Sequence, residues 1–209
     1  MNVSEYIDYT ILRPDATRED VIQVIEEAKE KHFATVCVNQ YRTRMCVEML
    51  RNTGVKVCTV VGFPLGAVTT EVKVNETICA IKAGSDEIDM VMNIGAFKDG
   101  DFDYVRAEID EIRRVCGPYP LKVIIETCLL SREEIIKACE IVLEAKAKYV
   151  KTSTGFSTGG ATADDVILMK RTVRDKAKIK ASGGISSMEK ALEMIDAGAE
   201  RIGTSTLFV

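Results

Sequence analysis

The sequence has little of the chemistry on which metal-dependent and histidine-dependent enzymes rely. It holds a single histidine, His32, in a segment with the pattern of a helix end, where the helix dipole and solvent account for it. It has no Cys-x-x-Cys pair, no His-x-Glu segment and no Gly-x-Gly-x-x-Gly segment. Zinc hydrolysis, histidine catalysis and dinucleotide binding are therefore poorly supported.

The sequence also lacks long apolar runs and an excess of positive charge. No window approaches the roughly 18 to 20 apolar residues of a membrane span, and the first residues show no basic region followed by an apolar stretch. The formal net charge is −4 and the isoelectric point is near 5.3. We therefore expect no nucleic-acid or membrane partner, although a local basic pocket can still hold a phosphate group.

The cysteine set points to a reducing compartment. The seven cysteines are an odd number, and most lie inside apolar runs. This pattern is typical of reduced, buried thiols rather than of a disulfide framework. We expect a cytoplasmic protein.

What the sequence does contain is a repeated unit of strand followed by helix, without a linker or low-complexity tract. This alternation is typical of a parallel sheet covered by helices, either open or closed as an eight-stranded barrel. With 209 residues and 46% hydrophobic content, we expect one domain over residues 1–209. Strand-like runs begin near Phe33, Lys56, Glu87, Leu121, Lys148, Lys178 and Arg201, with a possible eighth at residues 7–10. Predicted N-caps are Thr17, Ser131, Thr162 and Ser186, and predicted glycine-capped ends are Ala83-Gly84 and Ala197-Gly198.

The two faces of the predicted strands differ in character. Side chains two residues apart share a face, and one face is apolar throughout, as expected for a surface covered by helices. The other face contains charges of both signs, although the interior of a barrel is usually packed with branched aliphatic residues. Buried charges must pair or change protonation, so this face predicts a functional site. It carries Thr35, Cys37, Asn39, Glu87, Asp89, Lys122, Glu126, Lys151, Ser153, Lys178 and Lys180.

Lys151 and Lys180 are the most informative of these residues. Each ends a strand-like run and is followed by a turn of small residues, at the strand end where parallel barrels place their chemistry. On adjacent strands their ammonium groups would repel each other, so one would lose its proton and become a nucleophile toward carbonyls. Asp89 is either an ion-pair partner of these lysines or part of a proton relay for a Schiff-base mechanism.

Three turns rich in small residues follow the last three predicted strands of the barrel. They are Ser153-Thr154-Gly155, Ser182-Gly183-Gly184 and Gly203-Thr204-Ser205. Many barrels build a phosphate site from the backbone N–H groups of late loops. The turns therefore predict a phosphorylated substrate.

Seven segments spread along the chain form a specific combination. They are residues 7–17, Val36-Cys37-Val38-Asn39, Gly62-Phe63-Pro64-Leu65-Gly66, Asp86-Glu87-Ile88-Asp89, residues 121–127, Lys151-Thr152-Ser153-Thr154-Gly155-Phe156 and Lys180-Ala181-Ser182-Gly183-Gly184-Ile185. With these segments the chain resembles class I deoxyribose-phosphate aldolases nearly end to end. The resemblance implies a TIM barrel that needs neither metal nor organic cofactor and cleaves 2-deoxyribose 5-phosphate to acetaldehyde and glyceraldehyde 3-phosphate. We also expect a homo-oligomer, a dimer or a tetramer.

The resemblance also implies roles for individual residues. Lys151 would form the Schiff base, Lys180 would keep it unprotonated and assist proton transfer, and Asp89 would be the acid and base. Lys122 would be a further polar contact near the relay. Gly155, Gly183, Gly184, Gly203 and Ser205 would hold the phosphate, and Asp8, Thr10, Cys37 and Asn39 would line the pocket.

The sequence departs from the family pattern at four places. Tyr9 and Arg13 stand where many members have histidine and lysine, which we expect to alter packing near the first strand rather than chemistry. Phe156 stands where some members have a phosphate-contacting lysine. The chain ends at Leu207-Phe208-Val209, directly after the last predicted strand, so we expect the family's final helix to be missing or truncated.

Two other functions are compatible with part of this pattern. A non-catalytic or regulatory phosphosugar-binding barrel would use the lysines only to hold anions. A sugar-phosphate isomerase is a second alternative, but that chemistry usually relies on a glutamate base with a histidine or a metal, and His32 is poorly placed for it.

Overall fold

Eight parallel strands close into one barrel in the computed structural model, which describes residues 2–206. Each strand pairs with the next along the chain, and the last pairs with the first. The predicted closed barrel is thus confirmed, including its first strand. The strands are β1 (Ile7–Ile11), β2 (Thr35–Val38), β3 (Lys56–Val61), β4 (Glu87–Val91), β5 (Leu121–Ile124), β6 (Tyr149–Lys151), β7 (Lys178–Ser182) and β8 (Arg201–Thr204).

Helices connect successive strands on the outside of the barrel, as right-handed crossovers between parallel strands require. The connection between β4 and β5 holds two helices, and every other crossover holds one α-helix. They are α1 (Arg18–Glu30), α2 (Thr43–Met49), α3 (Thr70–Lys82), α4 (Ile94–Lys98), α5 (Phe102–Cys116), α6 (Arg132–Glu144), α7 (Ala163–Val173) and α8 (Met188–Asp196). Short 3-10 turns cover Val3–Tyr6, Gln40–Arg42 and Thr127–Leu129.

Three of the four predicted N-caps are confirmed. The side chains of Thr17, Ser131 and Thr162 each accept a hydrogen bond from a backbone N–H in the first helical turn. The prediction for Ser186 was wrong by one residue, because Ser187 caps α8 by accepting from the N–H of Lys190. Both predicted glycine-capped ends are confirmed: Gly84 and Gly198 have positive φ directly after the capping alanines.

The apolar face of the strands forms the core between barrel and helices. Val36, Ile88, Val123, Val150 and Ile179 are completely buried in one continuous cluster that includes the inner faces of the helices. Burying this surface supplies the main favourable free energy of folding. The barrel interior contains a small separate apolar cluster, made by Leu12, Cys37, Cys58 and Val60 with Phe63 packed against it.

A buried ion pair outside the barrel fixes the end of β4. Lys73 on α3 donates to the Glu108 carboxylate on α5 at 2.7 Å and to the carbonyl of Val91 at 2.9 Å, and both charged side chains are fully enclosed. Glu108 also accepts from the N–H of Asn93 at 3.0 Å. Burial lowers the pKa of Lys73 and raises the pKa of Glu108, and their mutual attraction only partly offsets it.

Two further predictions concern a helix at the end of the chain and the absence of a membrane span. The expectation about a final helix concerns residues after Thr206 and so lies outside the described residues. Among the helices within residues 2–206, none combines the length and the apolar character that crossing a bilayer requires.

Candidate active site

Lys151 and Lys180 lie side by side on neighbouring strands. They are register partners between β6 and β7, so their side chains leave the sheet at the same level and on the same interior face. Both amines donate to the same carboxylate oxygen of Asp89, Lys151 at 2.7 Å and Lys180 at 2.8 Å. The two nitrogens are therefore no farther apart than the sum of these distances, and the predicted juxtaposition is present.

A network of further charges surrounds this pair. Lys122, the register partner of Asp89, donates to its other oxygen at 2.8 Å and contacts Glu87 at 2.6 Å. Lys180 also donates to Asp8. Arg201 donates to Asp8 at 2.6 Å and to Glu87 at 3.0 Å. These bonds complete the network toward the amino-terminal ends of the strands, where β4 and β8 begin.

Within the described residues, the network joins four cationic side chains to three carboxylates. Burial alone would disfavour these charges, but at Asp89 and Lys180 the attraction of opposite charges prevails. Burial raises the pKa of Asp89, yet Lys122, Lys151 and Lys180 hold it well below its usual range. Burial lowers the pKa of Lys180, yet Asp8 and Asp89 outweigh it and raise that pKa above its ordinary value. Asp89 is thus an ionised acceptor, and Lys180 is a cation in the resting protein.

A cavity of about 480 Å³ opens above the network at the carboxyl ends of the strands. Lys151 reaches its wall, whereas Asp89, Lys122 and Lys180 lie beneath it and are completely buried. Lys151 is therefore the member of the network that a substrate can meet. The cavity wall also contains the predicted site residues Thr10, Gly155, Gly183, Gly184, Gly203 and Ser205.

Close contacts with neighbouring atoms explain two of the glycines in this wall. A Cβ on Gly203 would lie 2.8 Å from the Ser182 side chain and 3.2 Å from the Lys180 stem, so glycine leaves room for the lysine. Gly183 has φ +83°, and a Cβ there would lie 3.0 Å from the backbone of Gly160. The turns thus expose backbone rather than side chains to the cavity.

Three residues predicted to line the pocket lie elsewhere. Asp8 and Cys37 are fully enclosed in the barrel interior, Asp8 as part of the charge network and Cys37 in the small apolar cluster. Asn39 donates its side-chain amide to the carbonyl of Leu12 at 2.9 Å. It fixes the segment after β1 and is not in the part of the wall that residues 2–206 define.

The prediction that Glu126 lies on the charged strand face was wrong. β5 ends at Ile124, and Glu126 has φ 57°, a left-handed conformation that is uncommon for a residue with a Cβ. Its buried carboxylate accepts from the N–H and the hydroxyl of Thr154, and the same hydroxyl accepts from the N–H of Phe156. Glu126 therefore holds the turn that follows Lys151.

Further residues that were not predicted as substrate-binding complete the cavity. Phe156, on the wall, packs edge-on against Phe63 of the β3–α3 loop with ring centroids 5.3 Å apart. Arg13, which was expected to affect packing only, also reaches the wall, as do Ile185 and Ser186. A positive residue just beyond a predicted strand end was the available signal for Arg13.

Two groups of side chains in the barrel interior have metal-ligand chemistry. The ligand atoms of Cys37, Cys58 and Asp89 lie within 4.8 Å of one another, as do those of Asp8, Cys58 and Glu87. However, the oxygens of Asp89 already accept from three ammonium groups. Their charge opposes a cation at this position, so the donor set does not fit a metal ion.

Residues 3–207 match the profile of the DeoC/LacD family aldolases. The deoxyribose-phosphate aldolase of Brevibacillus brevis is 52% identical over 206 residues, which cover 99% of this chain and 93% of the relative. The protein of the same name from Caldanaerobacter subterraneus is 55% identical over 208 residues, or 98% of this chain and 90% of the relative.

Solved structures show the same relationship. The aldolase QR15 has a TM-score of 0.94 at 43% identity, with 98% of this chain and 91% of that chain covered. A tetrameric deoxyribose phosphate aldolase from Aeropyrum pernix has a TM-score of 0.92 at 32% identity, with 98% and 87% covered. The geometry of the lysine pair, the matched profile and these relatives agree: the chain belongs to the DeoC/LacD family of aldolases.

Proposed function

We propose that this protein is a class I deoxyribose-phosphate aldolase, a lyase that reversibly cleaves 2-deoxy-D-ribose 5-phosphate into acetaldehyde and D-glyceraldehyde 3-phosphate. The observation that carries the proposal is the asymmetric lysine pair. Lys151 reaches the cavity, and Lys180 lies buried beneath it on the same oxygen of Asp89. The names of the relatives supply the substrate.

The charge count of the network favours Lys151 as the nucleophile. Four cations face three carboxylates, so the network becomes neutral when one amine gives up its proton. Within residues 2–206, Lys180 has two carboxylate partners, Asp8 and Asp89, whereas Lys151 has Asp89 alone. The amine with fewer anionic partners and access to substrate is the one that reacts as a free base.

The reaction then follows from Schiff-base chemistry. The Lys151 nitrogen attacks C1 of the open-chain sugar, and loss of water leaves an iminium. As the C3 hydroxyl gives up its proton, the C2–C3 bond breaks and its electrons move into the C1–nitrogen system to form an enamine. Protonation at C2 and hydrolysis release acetaldehyde, while C3 becomes the aldehyde carbon of glyceraldehyde 3-phosphate.

Asp89 and Lys180 serve as the proton relay in this proposal. Asp89 touches both amines, so it can pass a proton between them without moving. Lys180 stores the proton because its pKa is raised by Asp8 and Asp89. General acid and base groups of this kind typically contribute about 10²- to 10⁴-fold to rate.

The turns after β6, β7 and β8 are proposed to hold the phosphate. Gly183 and Gly184 present backbone N–H groups that find no protein acceptor among residues 2–206. Such N–H groups suit a phosphate dianion. With the phosphate there and C1 at Lys151, the sugar spans the cavity.

We also propose that the protein is a cytoplasmic homo-oligomer. All seven cysteines are unpaired thiols, in keeping with a reducing compartment. The Aeropyrum pernix relative is tetrameric. Sedimentation velocity gives the oligomeric state directly.

Reductive trapping tests the function. Borohydride added with 2-deoxyribose 5-phosphate should fix a covalent adduct on Lys151, located by peptide mass spectrometry, and Lys151→Leu should abolish both the adduct and turnover in a coupled glyceraldehyde-phosphate assay. No adduct, or an adduct on another lysine, would refute the assignment. Phosphate and sugar-phosphate binding by calorimetry without turnover would instead indicate a non-catalytic phosphosugar-binding barrel.

A further inference from the structure

The cavity extends from Lys151 to a second basic residue, Arg13. Among its wall residues within the described part of the chain, Lys151 and Arg13 are the charged side chains, and no carboxylate is present. Lys151 must be uncharged to act as a nucleophile. The positive charge available to a dianionic group in this cavity therefore comes from Arg13.

The backbone around Arg13 is held in place by two side chains from the next crossover. Asn39 donates to the carbonyl of Leu12 at 2.9 Å, and Arg42 donates to the carbonyl of Ala16 at 3.1 Å. These bonds bracket Arg13 and keep its Cα at the rim. The side chain itself is half exposed, so it can rotate without disturbing a packed core.

The present partners of Arg13 are weak competitors for a phosphate. It pairs with Asp15 at 2.9 Å, but that carboxylate is 78% exposed, and surface ion pairs contribute little. Its other partner, Asp20, also accepts from the N–H and hydroxyl of Thr17 as part of the α1 capping box. Asp20 therefore stays satisfied when Arg13 leaves.

We propose that Arg13 binds the phosphate group of the substrate, turning from Asp15 toward the N–H groups of Gly183 and Gly184. The inference rests on the proposed aldolase function and adds a specificity-determining residue to it. Guanidinium binds phosphate with two parallel hydrogen bonds, so Arg13 would both neutralise charge and fix orientation. Arg13 would thereby act with these N–H groups to distinguish a phosphorylated sugar from a free one.

A second lysine near the same turn provides the competing assignment. Lys190 on α8 donates to the carbonyl of Gly184 at 3.3 Å and is exposed. Lys190 does not belong to the cavity wall that residues 2–206 form. We therefore expect Lys190 to contribute little.

The test compares 2-deoxyribose 5-phosphate with unphosphorylated 2-deoxyribose as substrates of Arg13→Gln, Arg13→Lys, Lys190→Gln and the control Arg18→Gln. Arg18 is exposed, five residues away and outside the wall. In Arg13→Gln, the ratio of kcat/KM for the two sugars should fall by about 10- to 100-fold, the effect of one charged hydrogen-bonding group. The loss should lie in KM for the phosphorylated sugar. In Arg13→Lys this ratio should lie between those of the unaltered protein and Arg13→Gln, because lysine keeps the charge but lacks the planar guanidinium group.

Several results would overturn the inference. An unchanged ratio in Arg13→Gln, an equal loss on both sugars, or a larger effect from Lys190→Gln each contradicts it. Calorimetry with inorganic phosphate gives a readout independent of turnover: binding should weaken in Arg13→Gln and not in Arg18→Gln. If the unaltered protein cleaves neither sugar, the proposed function fails, and the phosphate titration still decides the role of Arg13.

Discussion

Lys151 and Lys180 share one oxygen of Asp89 but differ in what else surrounds them. In the described part of the chain, Lys151 has that single carboxylate and reaches the cavity, while Lys180 has a second carboxylate, Asp8, and is completely enclosed. From this asymmetry we propose different tasks for two chemically identical side chains. Lys151 would react with the substrate, and Lys180 would keep its charge beneath Lys151.

The first prediction is that Lys180→Met lowers kcat/KM by at least about 100-fold, because it removes the cation that we propose as the proton donor to the reacting centre. Borohydride trapping should still modify Lys151, more slowly, since Lys151 keeps its contact with Asp89. The coupled assay and the trapping time course measure the two effects.

Lys178→Met is the matched control for Lys180. Lys178 lies two residues earlier on β7, and its amine is near the Tyr149 ring at 5.9 Å rather than near Asp89. Its activity should stay within about threefold of the unaltered protein, which corresponds to a small fraction of the free-energy change expected for Lys180. Equal losses in both variants would mean that Lys180 acts only through the structure of β7.

The second prediction concerns acid stability and Asp8. Burial raises the pKa of Asp8, but Lys180, Lys122 and Arg201 outweigh it, so the folded pKa lies below the unfolded value of about 3.9. A lowered carboxyl pKa stabilises the fold above that unfolded value, and this contribution is lost as pH falls toward the folded pKa. Asp8→Asn should lower the free energy of unfolding by about 3–5 kcal/mol at pH 7, because buried cations lose a partner.

The gap between the unaltered protein and Asp8→Asn should therefore narrow as pH falls from 5 to about 3. Denaturant titrations at several pH values measure it. Asp15→Asn is the control, since its carboxylate is largely exposed and its removal should have little effect at any of these pH values. A gap that stays constant or widens in acid would show that Asp8 stabilises the fold by something other than its charge.

The barrel and the lysine pair were within reach of the sequence because local rules determine them. Strand parity sends Lys151 and Lys180 to one face, and the parallel crossover connection puts both at the same end of the sheet. The apolar residues of the opposite face, such as Val150 and Ile179, confirm the parity by their complete burial. The N-caps at Thr17 and Ser131 depend on contacts within one turn, so they too are encoded locally.

Other parts of the site depend on contacts that no local pattern contains. Glu126 left the strand face because its backbone turned left-handed to meet Thr154, 28 residues later. Arg13 lies in the loop between β1 and α1. The path of that loop depends on its hydrogen bond with Asn39, which directly follows β2. The pairing of Lys73 with Glu108 could not be predicted for the same reason. In the sequence each is an ordinary charged helix residue, and the two meet only when their helices pack together.

The third prediction tests that buried pair. Lys73→Met should lower the free energy of unfolding by about 3–5 kcal/mol, because it leaves the Glu108 carboxylate buried without its cation. The double variant Lys73→Met with Glu108→Leu should recover part of this loss, since the uncompensated charge is gone. Recovery should be incomplete, because the Val91 carbonyl and the Asn93 N–H lose their partners, at about 1–3 kcal/mol for each unsatisfied group.

Lys29→Met is the matched control: its pair with Glu26 has nearly the same length, 2.8 Å, but lies at the surface, so its loss should cost less than about 1 kcal/mol. Guanidinium titrations of all four proteins at one pH give the comparison, and a double variant as unstable as Lys73→Met would show that packing at α3 and α5, not the stranded carboxylate, causes the loss.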